Sequence, residues 1–365
     1  MRKVACINPK TNIPDNFKYV DLESVVGTSL IKAKLTTKQL APSRAQRVAK
    51  KGDIFYQTVR PYQKNNFLFD INNYDFQYVF STGYAQLRSE INNYFLFSYL
   101  QRQRFVNLIL RRSTGTSYPA ISSKDLSEIK IIFPRNSKEQ ENIGKIINLI
   151  DALITLQQRK LKQLKQLKKA MLQQLFVDKN NKQPILKFKN FRNNWREYKL
   201  GEIVNLEDNK RKPVKATERM RGEIPYYGAN GIQDYVKGYT HIGKHVLIAE
   251  DGANSVDDYP IYFISSPSWI NNHTHVLTAK QEILSSEFLS YALKKINYAK
   301  YLVGSGRYKL NAEILKLIPL QIPTMNEQKN IEINLSKIDK LISLQQNKLT
   351  QLTTLKKYLL QKMFI

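Results

Sequence analysis

The stretch EQENIGKIINLIDALITLQQRKLKQLKQLKKAMLQQLF, residues 139–176, returns 188 positions later as EQKNIEINLSKIDKLISLQQNKLTQLTTLKKYLLQKMF, residues 327–364. Of the 38 aligned positions, 21 are identical. Turn chemistry precedes each copy: Pro134-Arg135-Asn136-Ser137 before the first, Pro323-Thr324-Met325-Asn326 before the second. Ser137 or Asn136, and Thr324 or Asn326, are suited to cap a helix. Apolar residues then recur at three- and four-residue steps: Ile143, Ile147, Ile150, Ile154, Leu161, Leu164, Met171 and Leu175 in one copy, Ile331, Leu335, Ile338, Ile342, Leu349, Leu352, Leu359 and Met363 in the other. That is a heptad-like seam. Gln157 and Gln345 interrupt it at matching places, either to set register or as tolerated gaps.

Each repeat predicts a helix of about 60 Å at 1.5 Å per residue. One apolar stripe on so long a helix needs a partner, and the other copy supplies it. The linker 178–190 reaches about 45 Å when extended, so the second helix most simply runs back along the first. An antiparallel pair follows, with an approximate two-fold relation.

Working outward, the repeat weakens but persists. Asn16, Phe17 and Leu22 line up with Asn194, Trp195 and Leu200; Phe95, Leu96 and Leu100 with Phe288, Leu289 and Leu293; Gly115 and Ile121 with Gly304 and Leu310. One unit is therefore written twice, as a divergent module followed by a preserved helix. The boundaries expected are 1–136 for the first module, 137–177 for its helix, 178–190 for a linker, 191–324 for the second module and 325–365 for the second helix. Strand signals dominate the modules at 53–59, 77–80 and 245–249. One helix is expected in each, over 93–110 and 286–302, with Ser286 as a cap. Each module reads as α+β with a mostly antiparallel sheet.

The chain has 365 residues with 58 Lys and Arg against 30 Asp and Glu, a net charge of +28. The two repeat helices carry +5 and +4, which leaves +19 around the modules. Such charge favours a polyanionic partner, nucleic acid first. With 42% hydrophobic residues, a disordered basic tail is excluded. A single cysteine, Cys6, excludes a disulfide framework and a cysteine-rich zinc site. No run of about 18 apolar residues suggests a membrane span, and the expectation is a cytoplasmic protein.

Catalytic motifs are scarce. No Pro-Pro dipeptide offers the aromatic loop of an amino-methyltransferase, and no Gly-Lys-Ser/Thr loop offers an ATP site. Val303-Gly304-Ser305-Gly306-Arg307 is a lone Gly-x-Gly behind a predicted helix, too weak for a cofactor cradle. Acidic-x-Lys triplets such as Asp208-Asn209-Lys210 are expected by chance in so Lys-rich a chain. His241, His245, His273 and His275 all lie in the second module and suit packing or phosphate contact better than a metal.

With its two long repeats and two divergent modules, the chain resembles the specificity subunit of a type I restriction–modification system over essentially its whole length. Trp195-Arg196-Glu197-Tyr198-Lys199-Leu200-Gly201-Glu202-Ile203 resembles the opening of a recognition domain, Tyr226-Tyr227-Gly228-Ala229-Asn230-Gly231 its Tyr-Gly-Ala-Asn-Gly-type loop, and Lys51-Gly52-Asp53-Ile54 its Lys-Gly-Asp-Ile start of a strand. Module one lacks the Tyr-Tyr-Gly loop, so its contacts are not carried over from module two. The resemblance implies an α+β fold with two target-recognition domains joined by two long antiparallel coiled-coil helices and an internal pseudo-two-fold repeat. It implies a non-catalytic subunit that reads a bipartite double-stranded DNA target. Its partners would be two modification subunits docked on the helices and a restriction and translocation subunit, with S-adenosylmethionine, ATP and Mg on those partners and none here.

For DNA contact, polar and basic loop residues are the candidates: Arg60, Thr116 and Tyr118 in module one, and Tyr227, Asn230, Arg307 and Tyr308 in module two, with Lys210, Arg211 and Lys212 meeting phosphate. Tyr118 and Tyr308 as core residues, and Asn230 as a turn residue, are the competing roles. The helix seam is expected to rest on Ile143, Ile150, Ile154, Leu161 and Leu164 against Ile331, Ile338, Ile342, Leu349 and Leu352. The alternative left open is the recognition part of a single-chain restriction and methylation enzyme, or a nuclease of unrecognised chemistry.

Overall fold

The computed structural model describes every residue except 179, 180, 182, 190, 192, 305–307 and 365. Two helices of 38 residues, Ser137–Gln174 and Met325–Lys362, occupy the repeats. Asn136 and Thr324 stand just before them. The Asn136 side chain accepts from the Lys138 amide at 2.9 Å, and the Asn136 and Thr324 carbonyls accept the amides of Gln140 and Gln328. The chain forms two compact units, residues 1–159 with 346–365 and residues 160–345, so that each unit takes half of both long helices.

In the first unit, Ala5–Ile7, Tyr84–Ser89, Ile54–Gln57 and Phe67–Leu68 form an antiparallel sheet in that order. A second sheet runs Lys34–Thr37, Asn16–Val20, Tyr78–Ser81, Ala45–Val48, with the middle pair parallel. Ile54, Tyr56, Leu87 and Phe95 are buried beneath the first sheet, and the core continues into Ile143, Leu360, Met363 and Phe364 of the long helices. Asp53 anchors it. Its buried carboxylate takes Nε and Nη2 of Arg88, each at 2.9 Å, and the Gln86 amide at 2.6 Å. The helix expected over 93–110 is two helices, Asn93–Leu100 and Gln103–Leu110. The break falls at Arg102, whose backbone is extended (φ −66°, ψ 138°).

In the second unit, Val204–Leu206, Thr274–Ala279, His245–Ala249 and Ile261–Ile264 form an antiparallel sheet. The hairpin Arg221–Gly228/Gly231–Val236 carries a parallel partner, Trp269–Ile270. The helix expected over 286–302 stops at Leu293, and a short 3-10 turn follows at Tyr298–Lys300. Ser285, not Ser286, precedes this helix, and its hydroxyl donates to Glu332 rather than capping. Leu175 and Phe176 of one long helix and Ile331 and Leu335 of the other enter the core. Phe176 stacks on Phe288 with centroids 5.3 Å apart and meets Trp195 edge-on at 6.0 Å.

The helices pair in opposite directions within each unit. In the first, Asp151 bonds Lys356 at 2.5 Å while Ile143 shares a core with Phe364. In the second, Lys168 bonds Asp339 at 2.5 Å while Phe176 shares a core with Ile331. These ion pairs are one pair written twice, because Asp151 repeats as Asp339 and Lys168 as Lys356. Of the expected seam, Ile143, Ile150, Leu161, Ile331 and Ile338 are buried, and Ile154, Leu164, Ile342, Leu349 and Leu352 are half-buried. The side-chain carbonyls of Gln157 and Gln345 are buried without a hydrogen-bond partner among the described residues. A buried unpaired polar group costs about 1–3 kcal/mol, a cost that fits a register device better than a neutral gap.

Candidate nucleic-acid interface

The same loop is built once in each module. In module one, Val59 and Thr114 both bridge to Ala120, and the Ile121 amide donates to the Thr58 carbonyl at 3.1 Å. In module two, Asp251 and Val303 both bridge to Lys309, and the Leu310 amide donates to the Glu250 carbonyl at 2.7 Å. Gly115 and Gly304 turn the loops with φ of 87° and 96°. Arg60 and Gly252 follow the matching strands, both left-handed, at φ 55° and 68°. Glycine takes that conformation freely, whereas a side chain costs about 1–2 kcal/mol. Arg60 therefore holds a strained position that module two gives to glycine.

Arg60, Thr116 and Tyr118 come together here. The Arg60 guanidinium lies 4.2 Å from the Tyr118 ring centroid, and its backbone amide donates to Pro119 at 2.7 Å. Tyr118 is 62% exposed, so it is not core, and Thr116 is exposed beside it. An exposed ring carrying a guanidinium presents a flat face and a fork of donors, suited to base edges and phosphate.

In module two, Ala229 and Asn230 are the two-residue turn of the hairpin. The Asn230 side chain donates to Gly252 at 2.8 Å and accepts from the Asn254 amide at 2.9 Å, which ties the turn to the loop beyond Asp251. Its amide is thus engaged in the turn-fixing role. Tyr308, 42% exposed, flanks Lys309 in the adjoining loop, so Asn230 and Tyr308 share one surface region. Arg307 lies outside the described residues. Tyr227 is half-buried, its ring tilted against Tyr262 at 6.3 Å.

The basic triplet divides. Lys210 is exposed and bonds Glu207 at 2.5 Å, and Lys212 is exposed. Arg211 turns inward. It donates to Glu250 at 2.7 Å and to the Thr274 carbonyl at 2.9 Å, and its charge lies 3.4 Å from Asp208. Its donors serve the interior and not a phosphate.

Around Arg211 lies a network that the sequence did not announce. His275, buried, bonds Asp208 through Nδ1 at 2.6 Å and the Leu310 carbonyl through Nε2 at 2.8 Å. Each ring nitrogen thus faces an oxygen. Burial alone would raise the Asp208 carboxyl; His275, the Val276 amide and Arg211 outweigh it and hold it below its ordinary range. Glu250 behaves likewise, burial being outweighed by Arg211, His275 and Lys309. Asp208, Glu250 and His275 could converge on a metal by distance, yet Arg211, His275 and Lys309 already neutralise the carboxylates. The network pins the Leu310 end of the module-two loop to the sheet. His241 and His245 are buried packing residues 5.5 Å apart, bonded to Thr240 and Thr278, and His273 bonds Asp251.

On the long helices three leucines are exposed at matching places in both copies: Leu153, Leu156 and Leu167 repeat as Leu341, Leu344 and Leu355.

The sequence profile of the type I restriction modification DNA specificity domain matches residues 9–166 and again residues 192–354. The chain belongs to this family. A putative type I restriction enzyme specificity subunit of Haemophilus influenzae is 47% identical over 132 residues, covering 36% of this chain and 34% of that protein. The specificity subunit of the type I restriction enzyme MjaVIII, from Methanocaldococcus jannaschii, is 24% identical over 276 residues, 67% of this chain and 64% of its own length. The matches thus span about a third and under two thirds of these relatives. Among solved structures, the S subunit of a type I restriction–modification system from M. genitalium superposes with a TM-score of 0.73 at 19% identity, over 100% of this chain and 94% of that one. That likeness establishes the fold: one α+β module followed by a long helix, written twice. No described helix is long and apolar enough to cross a membrane.

Proposed function

We propose that this chain is the DNA-reading subunit of a type I restriction–modification enzyme. Each module reads one half of a split double-stranded target through its strand-and-loop site. The observation that carries this reading is the loop built twice on one backbone plan with different residues: Arg60 and Tyr118 in one copy, Gly252 and Tyr308 in the other. One plan with two surfaces suits two different half-sites. Two readers on one side of a duplex take half-sites centred about one helical turn, about 10 bp, apart. The repeated exposed leucines suit two equivalent partner subunits, because a surface written twice binds the same partner twice. In this reading those partners are adenine methyltransferase subunits, a restriction and translocation subunit joins them, and S-adenosylmethionine, ATP and Mg are theirs.

The test is reconstitution. The chain alone with S-adenosylmethionine and DNA is expected to methylate nothing; with modification subunits it is expected to methylate adenines in one split sequence. Methylation by the lone chain would overturn the reading, as would methylation by the complex at no defined sequence.

A further inference from the structure

A groove of about 790 Å³ opens in the first unit between the start of helix Gln103–Leu110 and the tail of the second long helix. Lys64, Arg102, Arg104, Lys356 and Lys357 line it, and no carboxylate does among the described residues. Lys356 bonds Asp151 at 2.5 Å, so its charge is partly compensated. Arg102 is the unusual member. It is only 5% exposed, its Nη2 donates to the Phe364 carbonyl at 3.3 Å, and its guanidinium lies 4.7 and 5.1 Å from the Tyr99 and Phe364 rings. A carbonyl and two rings support a cation without neutralising it, and a buried charge ordinarily has a counter-ion.

The crowding of charge is visible at Lys64. Burial first, then Lys356 and Lys357, holds its ammonium below the usual lysine range. Lys64 sits at the far end of the turn Pro61–Gln63, whose near end is Arg60 of the reading loop, and this turn packs on helix Gln103–Leu110. Lys64 itself is left-handed, at φ 57°. A basic groove thus begins one short turn from the exposed guanidinium beside Tyr118.

The second unit does not repeat this. Lys168 and Lys169 correspond to Lys356 and Lys357, and Lys295 to Arg102. Lys168 bonds Asp339 there just as Lys356 bonds Asp151 here, but Lys295 bonds Asp178 at 3.2 Å, whereas Arg102 meets no carboxylate among the described residues.

We propose that this groove holds consecutive phosphates of the DNA strand flanking the half-site read by module one, so that the second long helix is itself a DNA ligand. The inference rests on the DNA-reading function above. Five cations along 790 Å³ exceed what one free phosphate engages, and they match a run of phosphodiesters. Such contacts position the duplex and carry no sequence information.

The experiment compares the full chain, alone and with its modification subunits, against the triple variant Lys64→Gln, Arg104→Gln, Lys357→Gln. Binding to a duplex is followed by fluorescence anisotropy across a salt series. Each lost phosphate contact lowers the slope of log K against log salt by about 0.9, so a fall of two to three is expected. Affinity should drop alike for every duplex, and the methylated sequence should stay the same. The charge-keeping variant Lys64→Arg, Arg104→Lys, Lys357→Arg should retain the slope, which separates charge from folding. An unchanged slope in the glutamine variant, while the wild-type complex still methylates one split sequence, overturns the groove and leaves the reading function standing. A changed methylated sequence overturns it too, by making these residues base readers. If inorganic phosphate at constant ionic strength displaces nothing from the glutamine variant but displaces duplex from the wild type one-for-one, the groove is a small-anion site and the DNA assignment fails. A wild-type complex without sequence preference overturns the underlying function as well.

Discussion

Phe364→Ala tests the architecture most severely, because it alters the first module from a residue of the second repeat. Phe364 is 6% exposed; its ring lies 5.3 Å from Phe95 and 5.9 Å from Tyr99, and the Arg102 guanidinium rests on it at 5.1 Å. Truncating a buried Phe to Ala costs about 3–5 kcal/mol, transfer and cavity together. Removing a desolvated cation–π contact adds about 1–2 kcal/mol. A domain is stable by about 5–15 kcal/mol, so the loss is about a quarter of the total or more. For a unit of this size about 2–4 °C accompanies each kcal/mol, and the melting of the first unit should fall by about 8–28 °C. Differential scanning calorimetry would measure it, with Phe176→Ala as the counterpart. Phe176 occupies the repeat-related place against Phe288 and Trp195, so its loss should lower the transition of the other unit. A Phe364→Ala protein melting within about 2 °C of the wild type would refute the claim that the second helix completes the first module's core.

Arg60→Gly should relieve left-handed strain of about 1 kcal/mol, offset in part by the lost Tyr118 contact, leaving thermal stability nearly unchanged while one half of the methylated sequence loosens. A large stability loss with intact specificity would mean that Arg60 is structural. Asp208→Asn removes the negative charge that His275 and Arg211 share and turns one of its two acceptor oxygens into a donor, and should cost about 3 kcal/mol, readable by urea unfolding. Buried groups of the second module also give a pH signature. His241, desolvated by burial, lies below its ordinary value, so the unfolded chain takes its proton first and stability declines as pH falls below about 6.5. Asp208 and Glu250 are depressed, so their contribution is whole above about pH 4 and is lost as pH falls through their folded values; urea midpoints between pH 7 and 3 should show both declines, and a flat profile counts against the network. Exchanging residues 1–136 for another module should change one half-site only, as read by sequencing methylated adenines; a shift in both halves would refute independent readers.

Much of this molecule was legible in the chain because helices and repeats are local. A period near 3.6 in apolar residues and a copy 188 positions away determined two long helices, their shared role and the twofold writing of the modules. Arg60 and the loop 113–118 were legible as polar residues at turn signals. What the sequence left undecided depends on which groups lose water together. Arg211 sits between two exposed lysines yet spends its donors on Glu250 and Thr274, because the fold buries the carboxylates Asp208 and Glu250 beside His275. The single helix expected over 93–110 breaks at Arg102, whose guanidinium finds the carbonyl of Phe364, 262 residues away. No window of sequence contains both partners. Period and repetition set the elements, and tertiary burial alone decided which charges became structure and which stayed at the surface.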